Sequence, residues 1–195
     1  LSQFMANPSH LHLSAAKRVL RYVKSTLDVG LKFVGGSGRR LVGYSDADWA
    51  GDLETRRSTS GYVFQFCGGT VSWSSKRQSV VATSTTESEY IAMDHASKEL
   101  VWLRRLLEDI GAKQTGPTVL YVDSMTAMAL ARNPKFHSRT KHIDVRYHSV
   151  REKIANDEMM LMHVPSVEML ADVLTKGLAR PQFQYLCGKI GIVPV

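Results

Sequence analysis

Three carboxylic acids stand where a sheet-forming sequence would place chemistry, Asp46 inside an apolar run, Glu89 in the first turns of a helical segment and Asp123 ending a second apolar run, and a fourth, Asp172, lies in a late helical stretch. A carboxylate in a buried strand is costly unless it is paired, hydrogen-bonded or neutralised by a cation. Each acid also has an ordinary explanation. Glu89 favours a helix N-terminus, Asp123 can cap the helix that follows it, Asp46 can pair with an arginine, and Asp172 alone reads as a solvated helix residue. As a set they offer hard oxygen ligands of the kind magnesium or manganese requires, with water completing each octahedral shell. Two such ions about 4 Å apart can clamp a phosphodiester, activating a water and stabilising the departing 3′ oxygen, so that no side-chain nucleophile is needed. The chain has no nucleophile elbow, no phosphate-binding glycine and lysine loop, and no serine convincingly paired with a histidine and an acid. Zinc is disfavoured, because Cys67 and Cys187 lie far apart and His137, His142 and His148 fit neither a zinc finger nor an HExxH helix. Asp48, two residues from Asp46 on the same strand face, is the nearest competitor for a ligand role.

The elements that must position these acids follow from spacing. Residues 41–46 read as a strand, and 62–67 with 70–75 as a hairpin closed by Gly68-Gly69. Ser84-Thr85-Thr86-Glu87 has capping-box spacing, and Tyr90, Met93, Leu100, Leu103, Leu107 and Ile110 extend a helix to Gly111, with a bend expected near Ser97. A short strand over 118–122 runs into Asp123-Ser124 and a helix over 125–131, stopped by Asn133-Pro134. Residues 136–154 read as loop then helix, 159–164 as a last strand before Pro165, and 168–178 as a further helix. The order βββαβαβα predicts an α/β fold with a mixed sheet flanked by helices. Trp49, Trp73 and Trp102 are expected to pack in the core or on a sheet face.

Before the sheet, Leu13, Ala16, Leu20 and Val23 recur at helical spacing over residues 7–24, with Asn7 as N-cap and Pro8 at the first helical position. Lys17, Arg21 and Lys24 share the outer face, read as a solvated one. Gly35-Gly36-Ser37-Gly38 marks the expected boundary between this leader, residues 1–36, and the main domain, residues 37–195.

The 195 residues, 44% of them hydrophobic, suffice for one substantial core, and the formal net charge of +7 favours a polyanionic partner. No apolar run reaches the length of a membrane span, the start lacks a signal-peptide layout, and the two unpaired cysteines fit a reducing compartment. A start without methionine leads us to expect a piece of a longer reading frame. Two basic groups border the acids: Lys76-Arg77-Gln78, and Arg139, Lys141, His142 and Arg146. Both are candidates to grip phosphates, giving sequence-tolerant binding that weakens with salt. Gln78, Ser124 and Thr85 are candidate donors to the 2′ hydroxyls that distinguish RNA.

Several strings resemble one family closely. They are Tyr44-Ser45-Asp46-Ala47-Asp48-Trp49-Ala50-Gly51-Asp52, Thr55-Arg56-Arg57-Ser58-Thr59-Ser60-Gly61-Tyr62, Thr86-Glu87-Ser88-Glu89-Tyr90, Phe136-His137-Ser138-Arg139-Thr140-Lys141-His142-Ile143-Asp144 and Ala171-Asp172-Val173-Leu174-Thr175-Lys176. The family is the ribonuclease H domain of copia-type LTR retrotransposon Pol polyproteins, and the likeness runs through most of residues 37–180. Leu13-Ser14-Ala15-Ala16-Lys17-Arg18-Val19-Leu20-Arg21-Tyr22 resembles the segment joining reverse transcriptase to that domain.

The resemblance implies a ribonuclease H-like fold, with a five-stranded mixed sheet of three antiparallel and two parallel strands in 32145 order and helices on both faces. It implies Asp46, Glu89, Asp123 and Asp172 as catalytic metal ligands for two Mg2+ ions, with Mn2+ as substitute. The implied substrate is an RNA/DNA hybrid, the partner an upstream reverse transcriptase, and the location a cytoplasmic virus-like particle or the nucleus. Where cellular relatives carry a glycine and histidine loop before the last acid, this chain has Val164-Pro165-Ser166-Val167-Glu168, which implies a different route for product release. Two rivals come from other classes. A catalytically silent ribonuclease H-like module is opposed by the intact four acids, and an integrase core would space an acidic triad differently.

Overall fold

Two fully buried neighbours, Val63 and Phe64, face opposite ways on one strand, so the sheet they belong to is covered on both sides. A computed structural model describes residues 1–34, 38–132 and 141–195, and the side chains of these except residues 3, 141–145 and 147. In chain order the elements are α1 (His10–Ser25), β1 (Val29–Leu31), β2 (Val42–Asp48), β3 (Thr59–Phe66), β4 (Gly69–Arg77), α2 (Thr85–Asp109), β5 (Thr118–Val122), α3 (Met125–Arg132), α4 (Lys141–Ala155), β6 (Met159–His163), α5 (Asp172–Thr175), α6 (Arg180–Ile190) and β7 (Ile192–Pro194). The main sheet runs β4-β3-β2-β5-β6, with β2, β3 and β4 antiparallel in sequence and β5 and β6 added in parallel. The mixed five-stranded sheet expected from the element order is therefore present.

One face carries the larger core. Phe64, Leu120, Val122 and Leu161 of the sheet meet Tyr90, Met93, Ala96, Leu100, Leu103 and Leu107 of α2, with Ala127, Met128 and Ala131 of α3 and Val150 of α4. Gly43 leaves room for the Phe64 ring, which an added Cβ would approach to 2.4 Å. The opposite face carries a smaller cluster in which Val63 meets Leu170, Leu186 and Ile190, with Val173, Leu174 and Ile192 packed against it. Helix α2 runs unbroken for 25 residues through Ser97, whose hydroxyl donates to the Asp94 carbonyl within the helix, where a bend was expected.

Other expectations need correction. The hairpin turn is Cys67-Gly68, with φ of 51° and 72°, and Gly69 already belongs to β4. Helix α1 is capped by Ser9, whose backbone N–H donates to His12 Nδ1 at 2.9 Å, so Asn7 and Pro8 lie before the helix. The helix expected over 168–178 is only α5, preceded by a 3-10 turn at Ser166–Glu168. Helix α6 and the short strands β1 and β7 were not anticipated. The three tryptophans are 46, 58 and 55% exposed, and Trp49 holds its place by donating its indole N–H to the Ala82 carbonyl at 3.1 Å.

Residues 28–34 do not hang free of the domain. Strand β1 pairs antiparallel with β7, Lys32 N donates to Gly191 O at 2.8 Å, and Val34 N donates to Cys67 O at 3.2 Å. Residues 35–37 of the glycine stretch, the Asn133-Pro134 helix stop and the 136–140 part of the basic segment, with His137 and Arg139, lie outside the described residues. Among the described residues, no helix is long and apolar enough to cross a membrane.

Candidate active site

The strand order sets the place. Strand β2 turns into β3 on one side and receives β5 in parallel on the other, so the carboxyl ends of β2 and β5 open a crevice at a switch in topology, where open sheets place ligands. The parallel register ends at Tyr44 opposite Tyr121, and continuing it by two residues sets Asp46 beside Asp123. Glu89 reaches the same point from the second turn of α2. That helix start is pinned: Ser84 Oγ accepts from Glu87 N at 3.1 Å, and the Glu87 carboxylate accepts from Thr83 N at 2.7 Å and Thr83 Oγ1 at 2.5 Å. One carboxylate oxygen each of Asp46, Glu89 and Asp123 lie within 4.8 Å of one another.

Neighbours hold these acids in place. Asp46 is 1% exposed, and its Oδ2 accepts a short hydrogen bond from Thr175 Oγ1. Gly61, directly opposite Asp46 on β3, makes that approach available, since an added Cβ would come within 2.6 Å of Thr175 Cγ2. Lys176 Nζ lies 3.5 Å from Asp46 Oδ1 and 3.0 Å from Asp172 Oδ1. Asp123 Oδ2 accepts from Ser166 Oγ at 2.8 Å. Asp172, at the start of α5, thus joins the cluster through Lys176 and stands outside the three oxygens that converge. Asp48 is turned away, its carboxylate lying against Gly51 in the following loop.

Burial first, then the charges of Asp46 and Asp123, pushes the Glu89 carboxyl up to about 9. Burial also raises Asp172, to about 7, with Asp46 adding to it and Lys176 opposing. Asp46 is raised as well, mainly by burial, against the lowering pull of Thr175 and Lys176. For Lys176, burial is the largest influence and lowers its pKa, but Asp46, Asp172 and Asp123 outweigh it and raise it. So many carboxylates with one ammonium between them favour either a retained proton or a hard cation. An all-oxygen donor set of this size fits magnesium or manganese rather than zinc.

The remaining predicted contacts fall out unevenly. Lys76 is exposed at the end of β4, and Arg77 is exposed but paired with Asp52 at 2.5 Å. Gln78 is 1% exposed, its amide donating to Ser60 Oγ at 2.8 Å and Ser88 O at 3.0 Å, so it braces β3 to α2 with both donors turned from solvent. Ser124 Oγ accepts from Ala127 N at 3.2 Å and sits 3.1 Å from Thr126 Oγ1, which in turn sits 3.0 Å from Thr86 Oγ1. These hydroxyls link the starts of α2 and α3 beside the acids. Lys141 and His142 open α4 with side chains outside the description, and Arg146 is half-buried on the same helix. Sequence reasoning missed Ser166, Thr175 and Lys176. The two last follow Asp172 at i+3 and i+4, one helical face, and that spacing was the available signal.

No protein-family model matches the chain. It is 45% identical over 190 residues, 97% of its length, to the retrovirus-related Pol polyprotein from transposon TNT 1-94 of Nicotiana tabacum. It is 43% identical over all 195 residues to the corresponding polyprotein from transposon RE1 of Arabidopsis thaliana. The chain spans only 14 and 13% of those polyproteins. Among solved structures it is similar to LC11-RNase H1, isolated from compost by a metagenomic approach, with a TM-score of 0.53 and 18% identity over 71% of this chain and 94% of that one. The same enzyme in complex with an RNA/DNA hybrid gives a TM-score of 0.51 at 15% identity, over 70% of this chain and 94% of that one. The sheet order and the flanking helices are those of a ribonuclease H-like fold. Over its full length the chain is homologous to a segment of the retrovirus-related Pol polyproteins of plant copia-type transposons.

Proposed function

We propose that the chain is a divalent-metal-dependent endoribonuclease that hydrolyses the RNA strand of RNA/DNA hybrids during reverse transcription. The observation that carries this reading is the meeting of Asp46, Glu89 and Asp123 oxygens within 4.8 Å at the carboxyl ends of β2 and β5. The fold, shared with an enzyme solved on a hybrid, and the Pol polyprotein relatives support it.

In this reading Asp46, Glu89 and Asp123 hold two Mg2+ or Mn2+ ions, with Asp172 beside them. The ions would lower the pKa of the attacking water and stabilise the departing 3′ oxygen. The chain's own residues do the rest. Thr175 and Ser166 fix the orientation of Asp46 and Asp123, and Lys76 with the basic start of α4 takes phosphates without reading bases. Water adds to phosphorus as the bond to O3′ breaks, leaving a 5′ phosphate and a 3′ hydroxyl. The partner in the same polyprotein is the upstream reverse transcriptase, and α1, which buries no residue of its own, offers it Leu13, Leu20 and Val23.

The test is cleavage of labelled RNA/DNA hybrid, duplex RNA and duplex DNA, with magnesium or with EDTA, by the wild type and Asp123→Asn. Cutting confined to the RNA of the hybrid, dependent on the ion and lost in the variant, is expected. Preference for duplex DNA, or binding without cutting, would overturn the reading.

A further inference from the structure

The acidic crevice opens at the carboxyl ends of β2 and β5, and a second concavity lies at their amino ends. It has a volume of about 380 Å³, and its lining holds Arg39, Arg40 and Lys113 but no carboxylate. Its floor is one row across three strands, Val42, Val119 and Met160, paired in register on the face turned away from α2. Val42 and Val119 are half-buried and Met160 is 40% exposed, so this floor is both apolar and reachable. Val42 precedes Asp46 by four residues, about 13 Å along an extended strand, which separates the cavity from the acids.

The walls are braced from within. Gln114 Oε1 accepts from Leu41 N at 2.9 Å, and its Nε2 donates to Arg39 O at 3.0 Å and Ala112 O at 2.9 Å, so one amide holds the arginine segment against the end of α2. Arg104 of α2 donates to Gly116 O at 2.7 Å, Thr118 Oγ1 at 2.9 Å and Gln114 O at 3.2 Å, which fixes the loop before β5. That guanidinium is used up on the protein. Those of Arg39 and Arg40 make no ion pair or hydrogen bond among the described residues, and Lys113 is held only by an exposed pair with Glu108. Cations around an apolar floor select an anion with an apolar body. Two guanidinium forks and an ammonium suit the three terminal oxygens of a phosphate monoester better than the two of a lone carboxylate. A cavity of this size takes one nucleotide-sized molecule.

We propose that this cavity binds a phosphate monoester carried on a nucleoside, with the phosphate on Arg39, Arg40 and Lys113 and the nucleoside on Val42, Val119 and Met160. The monoester is either a free nucleotide or the 5′-phosphate end of a single strand. The site goes beyond the nuclease reading and does not rest on it.

The experiment is a proton–nitrogen NMR titration of the full chain in EDTA at constant ionic strength. The probes are adenosine 5′-monophosphate, adenosine, inorganic phosphate, a hexaglutamate peptide, and one short single-stranded DNA in 5′-phosphorylated and 5′-hydroxyl forms. Saturable shifts are expected at the Gln114 side-chain amide and the backbone amides of Leu41, Val42, Thr115 and Val119, with adenosine and inorganic phosphate each binding more weakly than the nucleotide. Arg39→Gln combined with Arg40→Gln, its fold checked by circular dichroism, should weaken the nucleotide by about tenfold or more and leave hybrid cleavage at the wild-type rate. If that pair does not fold, Lys113→Gln gives the same comparison with a smaller loss. Shifts from the phosphorylated strand but not its hydroxyl form assign a strand end, and shifts from the mononucleotide alone assign a free nucleotide. Hexaglutamate binding as tightly as the nucleotide would reveal a cationic patch with no preference for phosphate. Equal binding of the two strand forms would reveal a backbone track, as would a fall in hybrid cleavage in the arginine variant. Each of these outcomes overturns the proposal, and so does the absence of saturable shifts from nucleotide and phosphorylated strand at millimolar concentration. A wild type that cuts no hybrid refutes the nuclease reading, while the titration still decides this site.

Discussion

Asp46 is buried in a strand, yet its position is set by residues far away in sequence: Gly61 opposite it, and Thr175 and Lys176 more than a hundred residues on. Replacing a ligand, by Asp46→Asn, Glu89→Gln or Asp123→Asn, should therefore cost more than about 100-fold in hybrid cleavage, whereas Thr175→Val, which removes only the orienting hydroxyl, should cost about 10–100-fold. Gly61→Ala should mimic Thr175→Val, because its Cβ would push the threonine off Asp46. Single-turnover cleavage with matched circular dichroism checks all five. The pH dependence of stability tests the same burial. Glu89 titrates near 4.5 when unfolded and is pushed up to about 9 when folded, so over that range the folded chain holds a proton that the unfolded chain has released. Its contribution is complete below about 4.5 and is lost as pH rises toward 9. Thermal melts in EDTA should show this decline, and Glu89→Gln should flatten it. Saturating magnesium should raise the midpoint most at high pH, because the ligands bind deprotonated. A Glu89→Gln variant with the same decline as the wild type would show that another group dominates.

At the level of elements, legibility followed length and locality. Strands β2, β5 and β6 and helix α2 announce themselves because an apolar period or a cap sits within one short window, and β2, α2 and β5 are the elements that deliver Asp46, Glu89 and Asp123. Strands β1 and β7 have three residues each, too few for a period to show. Helix α6 was signalled, by Pro181 in its first turn and by Gly191 at φ 96° after its end, and reading those two residues as a pair would have found it. Gln78 and the tryptophans misled because residue type alone does not say which face an element turns to its neighbours. Lys176 misled for the opposite reason, since a lysine after a short helix reads as solvent-facing until its partners are known. The hairpin offers an element-scale check. Cys67 holds φ 51° at the first position of a two-residue turn that demands positive φ at both positions, a conformation an ordinary side chain resists. Cys67→Asn should stabilise the chain by about 0.5–1 kcal/mol, read as a higher urea midpoint at unchanged slope. An unchanged midpoint would mean that the strands alone set the turn.

On the scale of the whole molecule, the segment that follows α1 meets the last residues of the chain. Strand β1 pairs with β7 at Val29↔Pro194, Gly30↔Val193 and Leu31↔Ile192, and Val195 N donates to Asp28 O at 2.9 Å. Leu31 also lines a pocket of about 280 Å³ with Val63, Trp73, Val173, Leu174, Ile190 and Ile192. Val173 and Leu174 belong to α5, the helix that presents Asp172 and Thr175, so apolar cover from the leader side reaches the segment that holds Asp46. A boundary drawn at residue 36 by composition would cut through this pairing. A chain beginning at residue 28 keeps β1 and loses a 3-10 turn at Ser2–Phe4 and α1, which buries none of its residues, and its melting midpoint should match that of the full chain. A chain beginning at residue 37 loses the three paired residues of β1, Leu31 among them, about 2 kcal/mol if each lost backbone hydrogen bond is worth about 0.5–1.5 kcal/mol. For a chain of this size that is a fall of about 4–8 °C. The α5 face should loosen with it, seen as faster amide exchange at Thr175 and Lys176 than in the chain starting at 28. Equal midpoints for the two truncations would assign residues 28–34 to the leader and leave the domain to stand without them.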